Sequence, residues 1–149
     1  MTKLIKLENP LHTYNRFNEI LSTPFIWLMI VPMVILDIFA EVYHRICFPL
    51  YGMPYVKRSH YIRIIDRAKL PYLNWYQKLN CAYCGYANGL LHYVSVIAGK
   101  TESYWCAIAH LEERGYIPTE AEKNFVKYGD EGSLKLRYFL HDQEFGDNE

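Results

Sequence analysis

The sequence lacks the marks of several common protein classes. It contains no phosphate-binding loop, no dinucleotide fingerprint, no internal repeat and no low-complexity tract. Its formal net charge is zero, with 16 Lys or Arg and 16 Asp or Glu among 149 residues. Half of the residues are hydrophobic, which excludes a disordered chain. The length is that of about one domain.

A cleavable signal peptide is also missing, because the first apolar run begins late and no small-residue cleavage site follows it. That run extends from Pro24 to Ala40 with Asp37 as its single charge, and it continues to Tyr43. About 20 such residues are enough to cross a bilayer as a helix, although a buried core helix is the alternative. We predict a transmembrane helix over residues 23–48, kinked at Pro32. Aromatic residues typical of interfacial anchors are Trp27, Tyr43, Phe48 and Tyr51.

The zero net charge hides an uneven distribution. Between His44 and Lys78 there are seven Lys or Arg and one Asp, whereas from Lys100 onward there are six and eleven acidic residues. Because the basic segment directly follows the apolar run, it favours an anionic membrane face over nucleic acid. With one span the C-terminal part is then cytoplasmic, with reduced cysteines. If residues 79–99 also span, the acidic tail lies outside.

The rest of the chain reads mostly as helix. Pro71 suits the first turn of a helix, and the uncharged stretch 79–99 reads as a bundle helix or a second span. Gly99 resembles a helix stop, and Thr101 resembles the N-cap of a helix reaching Arg114. We therefore predict a helical hairpin over residues 72–114. Segments left open between strand and helix are residues 61–65 and 133–141. A capping box with a short helix is expected at Thr119 and Glu122.

Three polar residues share one face of the apolar helix. Asp37, Glu41 and His44 fall within about 60 degrees of one another at 100 degrees per residue. The Glu-x-x-His spacing is the one that di-iron carboxylate bundles use to point two ligands inward. Three interpretations remain open: metal ligation, structural pairing such as an ion pair with Arg45, and a proton or ion relay.

A second group of metal-ligand residue types lies downstream. Cys81 and Cys84 form a Cys-x-x-Cys, and Cys106 and His110 form a Cys-x-x-x-His. Glu102 precedes Cys106 by one turn, so a continuous helix would place it on the same face as Cys106 and His110. Thiolate, imidazole and carboxylate are transition-metal ligands, and the gap from Cys84 to Cys106 suits a Cys3His zinc site. Core packing and surface exposure are the plainer interpretations.

Other cysteine chemistry fits less well. A redox Cys-x-x-Cys of the thioredoxin type needs a strand before it, and residues 72–80 do not read as a strand. Covalent haem attachment requires a His directly after the second cysteine, where this chain has Gly85. Nucleophilic cysteine catalysis with His92 or His110 stays open, but nothing in the spacing demands it.

The strings YHRICFPLYG, CAYCGYANG and TESYWCAIAH resemble those of a group of small, uncharacterised bacterial membrane proteins. The resemblance covers roughly residues 35–112. It implies a location in the bacterial inner membrane and implies that these segments form one unit. It supplies no activity.

We therefore predict a mainly α fold in which an N-terminal transmembrane helix packs on a small helical bundle or hairpin. The expected divisions are an N-terminal segment, 1–22; the transmembrane helix, 23–48; a basic interfacial loop, 49–71; and a helical Cys/His module, 72–149. The expected function is membrane-anchored metal binding, with iron favoured and a redox or oxygen-related role. The alternatives are a non-enzymatic adaptor with a structural Cys3His zinc site and a metal-free subunit of a larger complex. The expected partners are the lipid bilayer and a membrane protein or second copy, without nucleic acid.

Overall fold

The structure, a computed structural model, describes residues 16–146, so the predicted N-terminal segment lies largely outside it. The fold is mainly helical, as predicted. The α-helices are α1 (Arg16–Leu28), α2 (Ile30–Leu50), α3 (Trp75–Trp105) and α4 (Glu131–Gly146). Within the described range the chain forms no strand, only one isolated parallel bridge between Ile108 and Val126. The chain divides into two compact units, with the boundary between Val94 and Ser95.

The long apolar N-terminal helix is present and is interrupted at Met29, between α1 and α2. Pro32 has no N–H to donate to the carbonyl of Leu28, so one helical hydrogen bond is missing at this point. Met29 N–H bonds to Ile26 O, three residues back, at 3.3 Å. The segment Ile20–Leu50, 31 residues, is long and apolar enough to cross a membrane. None of its most apolar window is buried against the protein.

A connector, residues 51–74, joins α2 to α3 in the first unit. It contains two short 3₁₀ turns, Arg58–His60 and Arg67–Lys69, and residues 61–65 form neither strand nor α-helix. The helix predicted at Pro71 begins later, at Trp75, because Asn74 caps it. Asn74 Oδ1 accepts from Gln77 N–H at 2.8 Å, and Gln77 Oε1 accepts from Asn74 N–H at 3.0 Å.

Two glycines let the connector backbone lie directly on α3. A Cβ at Gly85 would be 2.4 Å from Arg63 O, and one at Gly89 would be 2.6 Å from Tyr61 O. The neighbour that these two glycines admit is connector backbone. The core beside this contact includes Phe48, Val56, Leu90 and Tyr93.

The predicted hairpin over residues 72–114 is wrong, because α3 runs on without a break to Trp105. Gly99 does not end a helix; its missing Cβ would lie 2.5 Å from Ala121 Cβ, so it permits a close approach in the second unit. Thr101 does not cap a helix either. Its hydroxyl donates to Ile97 O at 2.9 Å, one turn back in the same helix.

The second unit continues as a loop, residues 106–130, which we call the Glu122 loop. Ala107 has a positive φ angle of 49° and residues 107–114 are not helical, so the helix predicted to reach Arg114 does not exist. Ala109 N–H donates to Val126 O, and Val126 N–H to Ala107 O, both at 2.8 Å, and these two bonds close the loop. Thr119 Oγ1 accepts from Glu122 N–H at 3.3 Å, as the capping box predicts, but only the 3₁₀ turn Glu122–Asn124 follows. The segment 133–141 is helical, within α4.

Candidate functional site

The polar stripe of α2, which consists of Asp37, Glu41 and His44, faces the connector and α3 within the first unit. Asp37 sits between a cation and a phenol. Both terminal nitrogens of Arg58 bond its carboxylate, with Nη2 2.6 Å from Oδ2, and Tyr86 OH donates to the same oxygen at 2.9 Å. Bidentate guanidinium–carboxylate contacts of this kind are among the stronger hydrogen-bonded pairs in proteins. The Asp37 bond is the main reason why the pKa of Arg58 lies above its ordinary value.

Glu41, one turn further on, accepts three hydrogen bonds. Arg45 Nε donates to Oε1 at 2.8 Å, Tyr55 OH donates to Oε1 at 2.7 Å, and Tyr93 OH donates to Oε2 at 2.9 Å. The ion pair with Arg45 is the structural pairing considered from the sequence. Burial, followed by the bond to Glu41, raises the pKa of Tyr55. Glu41 is therefore surrounded by donors from α2, the connector and α3.

His44 is fully buried, and its hydrogen bonds define its tautomer. Val56 N–H donates to Nε2 at 3.0 Å, so Nε2 carries no proton. A neutral imidazole then has its proton on Nδ1, which lies 2.9 Å from Tyr93 Oη. The protons thus point in one direction, from His44 through Tyr93 to Glu41. Stacking on Tyr55 at 4.0 Å and edge contact with Phe48 at 4.3 Å fix the ring.

The polar stripe is consequently satisfied by side-chain and backbone groups of the protein itself. In the part of the chain that the structure describes, no fully buried side-chain nitrogen or oxygen lacks a partner. Four residues that complete the cluster were not predicted: Tyr55, Arg58, Tyr86 and Tyr93. The abundance of tyrosine, 14 residues, and the basic connector were the only sequence signals for them.

Cys81 and Cys84 lie one turn apart in the N-terminal half of α3. Both thiols are free; Cys81 is half-buried and Cys84 is exposed. Cys47, on α2, is also free and half-buried. The Cys-x-x-Cys is therefore helical and does not form the tight knuckle of a zinc ribbon.

The predicted common face of Glu102, Cys106 and His110 is wrong, because α3 ends between them. Glu102 O accepts from both Cys106 N–H and Ala107 N–H, at 2.8 and 2.9 Å, which is a helix C-terminus. Cys106 is exposed directly after that end, and His110 lies in the Glu122 loop with its ring against Tyr116. Among the side chains that the structure describes, no three from His, Cys, Asp or Glu converge closely enough to hold a metal ion.

Glu122 organises its loop, and sequence reasoning assigned it only to the capping box. It is 5% exposed, and its carboxylate accepts from His110 N–H at 2.7 Å and from Tyr116 OH at 2.6 Å. The Tyr116 bond, then the backbone bond from His110, holds the pKa of Glu122 below its ordinary value. The same carboxylate raises the pKa of Tyr116 to about 12.

The two carboxylate clusters are arrangements of hydrogen-bond donors around anions. What they do chemically is hold segments together: the connector and α3 to α2 in the first unit, and the two arms of the Glu122 loop in the second. No protein-family model, curated protein or solved structure matches this chain.

Proposed function

We propose that this chain is a membrane-attached, non-enzymatic adaptor that holds a helical body at the bacterial inner membrane for a protein partner. One observation carries the proposal: α1 and α2 leave their apolar side chains exposed, while their polar stripe is tied to the chain's own connector and α3. Exposed apolar side chains include Phe25, Ile38, Phe39, Ile46 and Leu50. An apolar surface of this extent is typical of a membrane or protein interface.

The polar stripe supports a structural role in this function. Arg58 and the tyrosines neutralise or solvate Asp37 and Glu41 with partners from the connector and α3. A charge on an apolar helix is costly unless it is paired, and this pairing also fixes the helix to the rest of the first unit. Cleavage of the apolar helix as a signal sequence would remove the partners of Arg58, Tyr86 and Tyr93.

The second unit supplies the surface for a partner. Several of its large apolar side chains are exposed, and Leu136 and Phe139 lie three residues apart on α4. A contiguous exposed apolar patch is typical of an interaction site. Other exposed side chains of this type are Trp105, Leu111, Ile117 and Tyr128.

Membrane attachment is tested by fractionating cells and washing the membranes with alkaline carbonate. The intact chain, identified by its full mass, is expected in the washed pellet. Phe39→Glu, at a side chain 71% exposed on α2, is expected to shift the protein toward the supernatant. Ile117→Glu, at a side chain 86% exposed in the second unit, is the matched control and is expected to stay in the pellet. A soluble wild type, or a mass lacking the N-terminal helix, contradicts the proposal.

Metal binding remains a second candidate, and one observation favours it: Cys81 and Cys84 are unpaired thiols one turn apart on α3. Two thiolates are half of a tetrahedral zinc or iron–sulfur ligand set, so the other ligands would come from a second copy or another protein. Elemental analysis of the purified chain separates the candidates. Stoichiometric iron or zinc that Cys81→Ser removes and His110→Ala retains supports the thiol site. The adaptor function predicts no stoichiometric metal and unchanged thermal stability in chelator.

A further inference from the structure

The orientation of α1 and α2 follows from which of their faces is covered. Along both helices, partly or fully buried residues recur about every three or four positions, singly as far as Asp37 and in a closer group from Ala40 to Phe48, and the other residues between them are exposed. We call this covered set the sheltered face: Thr23, Trp27, Ile30, Met33, Asp37, Ala40, Glu41, Tyr43, His44, Cys47 and Phe48. It extends over 26 residues, about 38 Å of helix, which exceeds the hydrocarbon thickness of a bilayer of about 30 Å.

The connector and α3 contact α1 and α2 near both ends of the sheltered face. At one end Tyr83 OH donates to Ile26 O at 2.8 Å, and the Tyr83 ring packs against Trp27 at 5.2 Å. At the other end Val56 and Tyr93 bond the buried His44. Later residues of α1 and α2 contact later residues of α3, so these helices run in the same general direction. The connector returns beside them.

A bilayer-crossing orientation would therefore place part of the connector in hydrocarbon. Arg58 bonds Asp37, in the middle of the apolar segment, and the backbone of Arg63 lies on Gly85, between Tyr83 and Tyr86. Arg63 and its connector neighbours Lys57, Ser59 and His60 are exposed. A cationic side chain at the centre of a membrane costs about 2.5–3.5 kcal/mol on insertion scales, and irregular backbone exposed to lipid is not tolerated.

We propose that α1 and α2 lie along the membrane surface, embedded among headgroups and outer acyl chains, and that the chain does not cross the bilayer. The exposed apolar faces then contact lipid, while the sheltered face carries the connector and α3 on the aqueous side. This is the arrangement of interfacial amphipathic helices, whose apolar face enters the bilayer by about 5–10 Å. The proposal rests on the membrane attachment proposed above and specifies its geometry.

Native lysines make the test possible on the unaltered chain. A membrane-impermeant amine reagent is applied to intact spheroplasts and to inverted vesicles, and modification is quantified for each peptide by mass spectrometry. The lysines before α1 are Lys3 and Lys6, those of the connector are Lys57 and Lys69, and those of the second unit include Lys123 and Lys135. Detergent-opened vesicles give the full reactivity of each site.

The surface orientation predicts that all three groups of lysines react from the same membrane face. Reaction of Lys3 and Lys6 from one face and of the connector from the other means that α1–α2 crosses, and it overturns the proposal. Reaction of the connector from one face and of both other groups from the opposite face indicates two spans and also overturns it. A chain found in the soluble fraction contradicts membrane attachment itself, so the two failures are distinguishable.

Discussion

The polar stripe of α2 and the Glu122 loop both place carboxylates among tyrosine hydroxyls, but they differ in charge and in chain distance. Asp37 and Glu41 each have an arginine partner, and most of their bonds join residues 14 to 52 positions apart. Glu122 accepts only N–H and O–H donors from residues 6 to 12 positions away, and no Lys or Arg within the described residues pairs with it. The first cluster joins distant segments of the chain to the apolar helix α2, and the second closes one local loop.

Carboxylates and tyrosines thus form both clusters, but the two clusters should respond differently to mutation and to pH. A stripe with charged partners should resist perturbation only while each charge is paired, because an unpaired charge near apolar surroundings is expensive. A local, neutral-donor cluster should respond mainly to protonation of its own carboxylate or phenol. Substitutions in each cluster distinguish these two responses.

Gly89→Ala tests whether the connector must lie directly on α3 for the stripe to form. The new Cβ would be 2.6 Å from Tyr61 O and 2.8 Å from Ile62 Cα, both backbone atoms that cannot rotate away. We expect a loss of about 3 kcal/mol in the free energy of unfolding, measured by denaturant titration in mild detergent. Gly132→Ala, which meets only Asp130 Oδ1 at 3.7 Å, is the control and should change stability by less than about 1 kcal/mol. Equal effects of the two changes would contradict the close packing.

Arg58→Ala tests the charged partner of the stripe. It leaves the Asp37 carboxylate, which is 15% exposed, without its cation. Because Arg58 itself is 36% exposed, we expect a loss of about 2 kcal/mol, below the range for fully buried pairs. The matched control is Arg63→Ala, an exposed connector arginine, with an expected change within about 0.5 kcal/mol. The same detergent unfolding assay measures both variants.

Tyr93→Phe removes the hydroxyl that links His44 to Glu41. The buried Nδ1–H of His44 would lose its acceptor, and we expect a loss of about 1–2 kcal/mol in unfolding free energy. Tyr76→Phe, at a half-exposed ring on α3, removes a hydroxyl outside the cluster and should be nearly neutral. If Tyr93→Phe leaves the free energy of unfolding unchanged, the hydrogen bonds from His44 through Tyr93 to Glu41 do not stabilise the fold.

Glu122→Gln tests the neutral-donor cluster with a side chain of the same shape. Without the carboxylate, the pKa of Tyr116 should fall from about 12 toward its ordinary value of 10, which a phenolate absorbance difference titration detects. The control is Glu120→Gln, whose carboxylate is exposed and pairs with Lys123. It should leave that titration unchanged. If the pKa of Tyr116 is the same in Glu122→Gln as in the wild type, the Glu122 carboxylate does not bind the Tyr116 hydroxyl.

The stability of the Glu122 loop should fall at both low and high pH. The pKa of Glu122 is lowered by folding, so its contribution is present above its ordinary value of 4.5 and is lost as the pH falls through the lowered value. The pKa of Tyr116 is raised, so its contribution is present below 10 and is lost as the pH rises toward about 12. Protection of the His110 amide from hydrogen exchange, corrected for intrinsic rates, measures both limits. Loss of protection near neutral pH would contradict this assignment.

The sequence predicted the features that depend on local chemistry. The apolar run, the break caused by Pro32, the shared face of Asp37, Glu41 and His44, and the Thr119 hydroxyl bond all follow from spacing and residue type. The partners of the stripe could not be predicted, because nothing local distinguishes Tyr86 and Tyr93 from the other tyrosines.

Gly99 shows why the hairpin prediction failed. A glycine at a helix end and a glycine at a close contact look alike in sequence, and only the approach of Ala121 tells them apart. Once α3 continues past Gly99, Glu102 lies at a helix end and His110 in a loop, so their predicted common face disappears. The metal prediction rested on that face and on the convergence of distant pairs, which local periodicity does not report.

A double-mutant cycle on Asp37 and Arg58 measures whether the polar stripe is held by partners from the protein itself. Unfolding free energies are measured in detergent with chelator for the wild type, Asp37→Ala, Arg58→Ala and the double variant. We expect a coupling energy of about 1–3 kcal/mol, with the double variant more stable than the sum of the single losses implies. Losses that add to within about 0.5 kcal/mol would contradict it, because Asp37 and Arg58 would then not be partners in the folded protein.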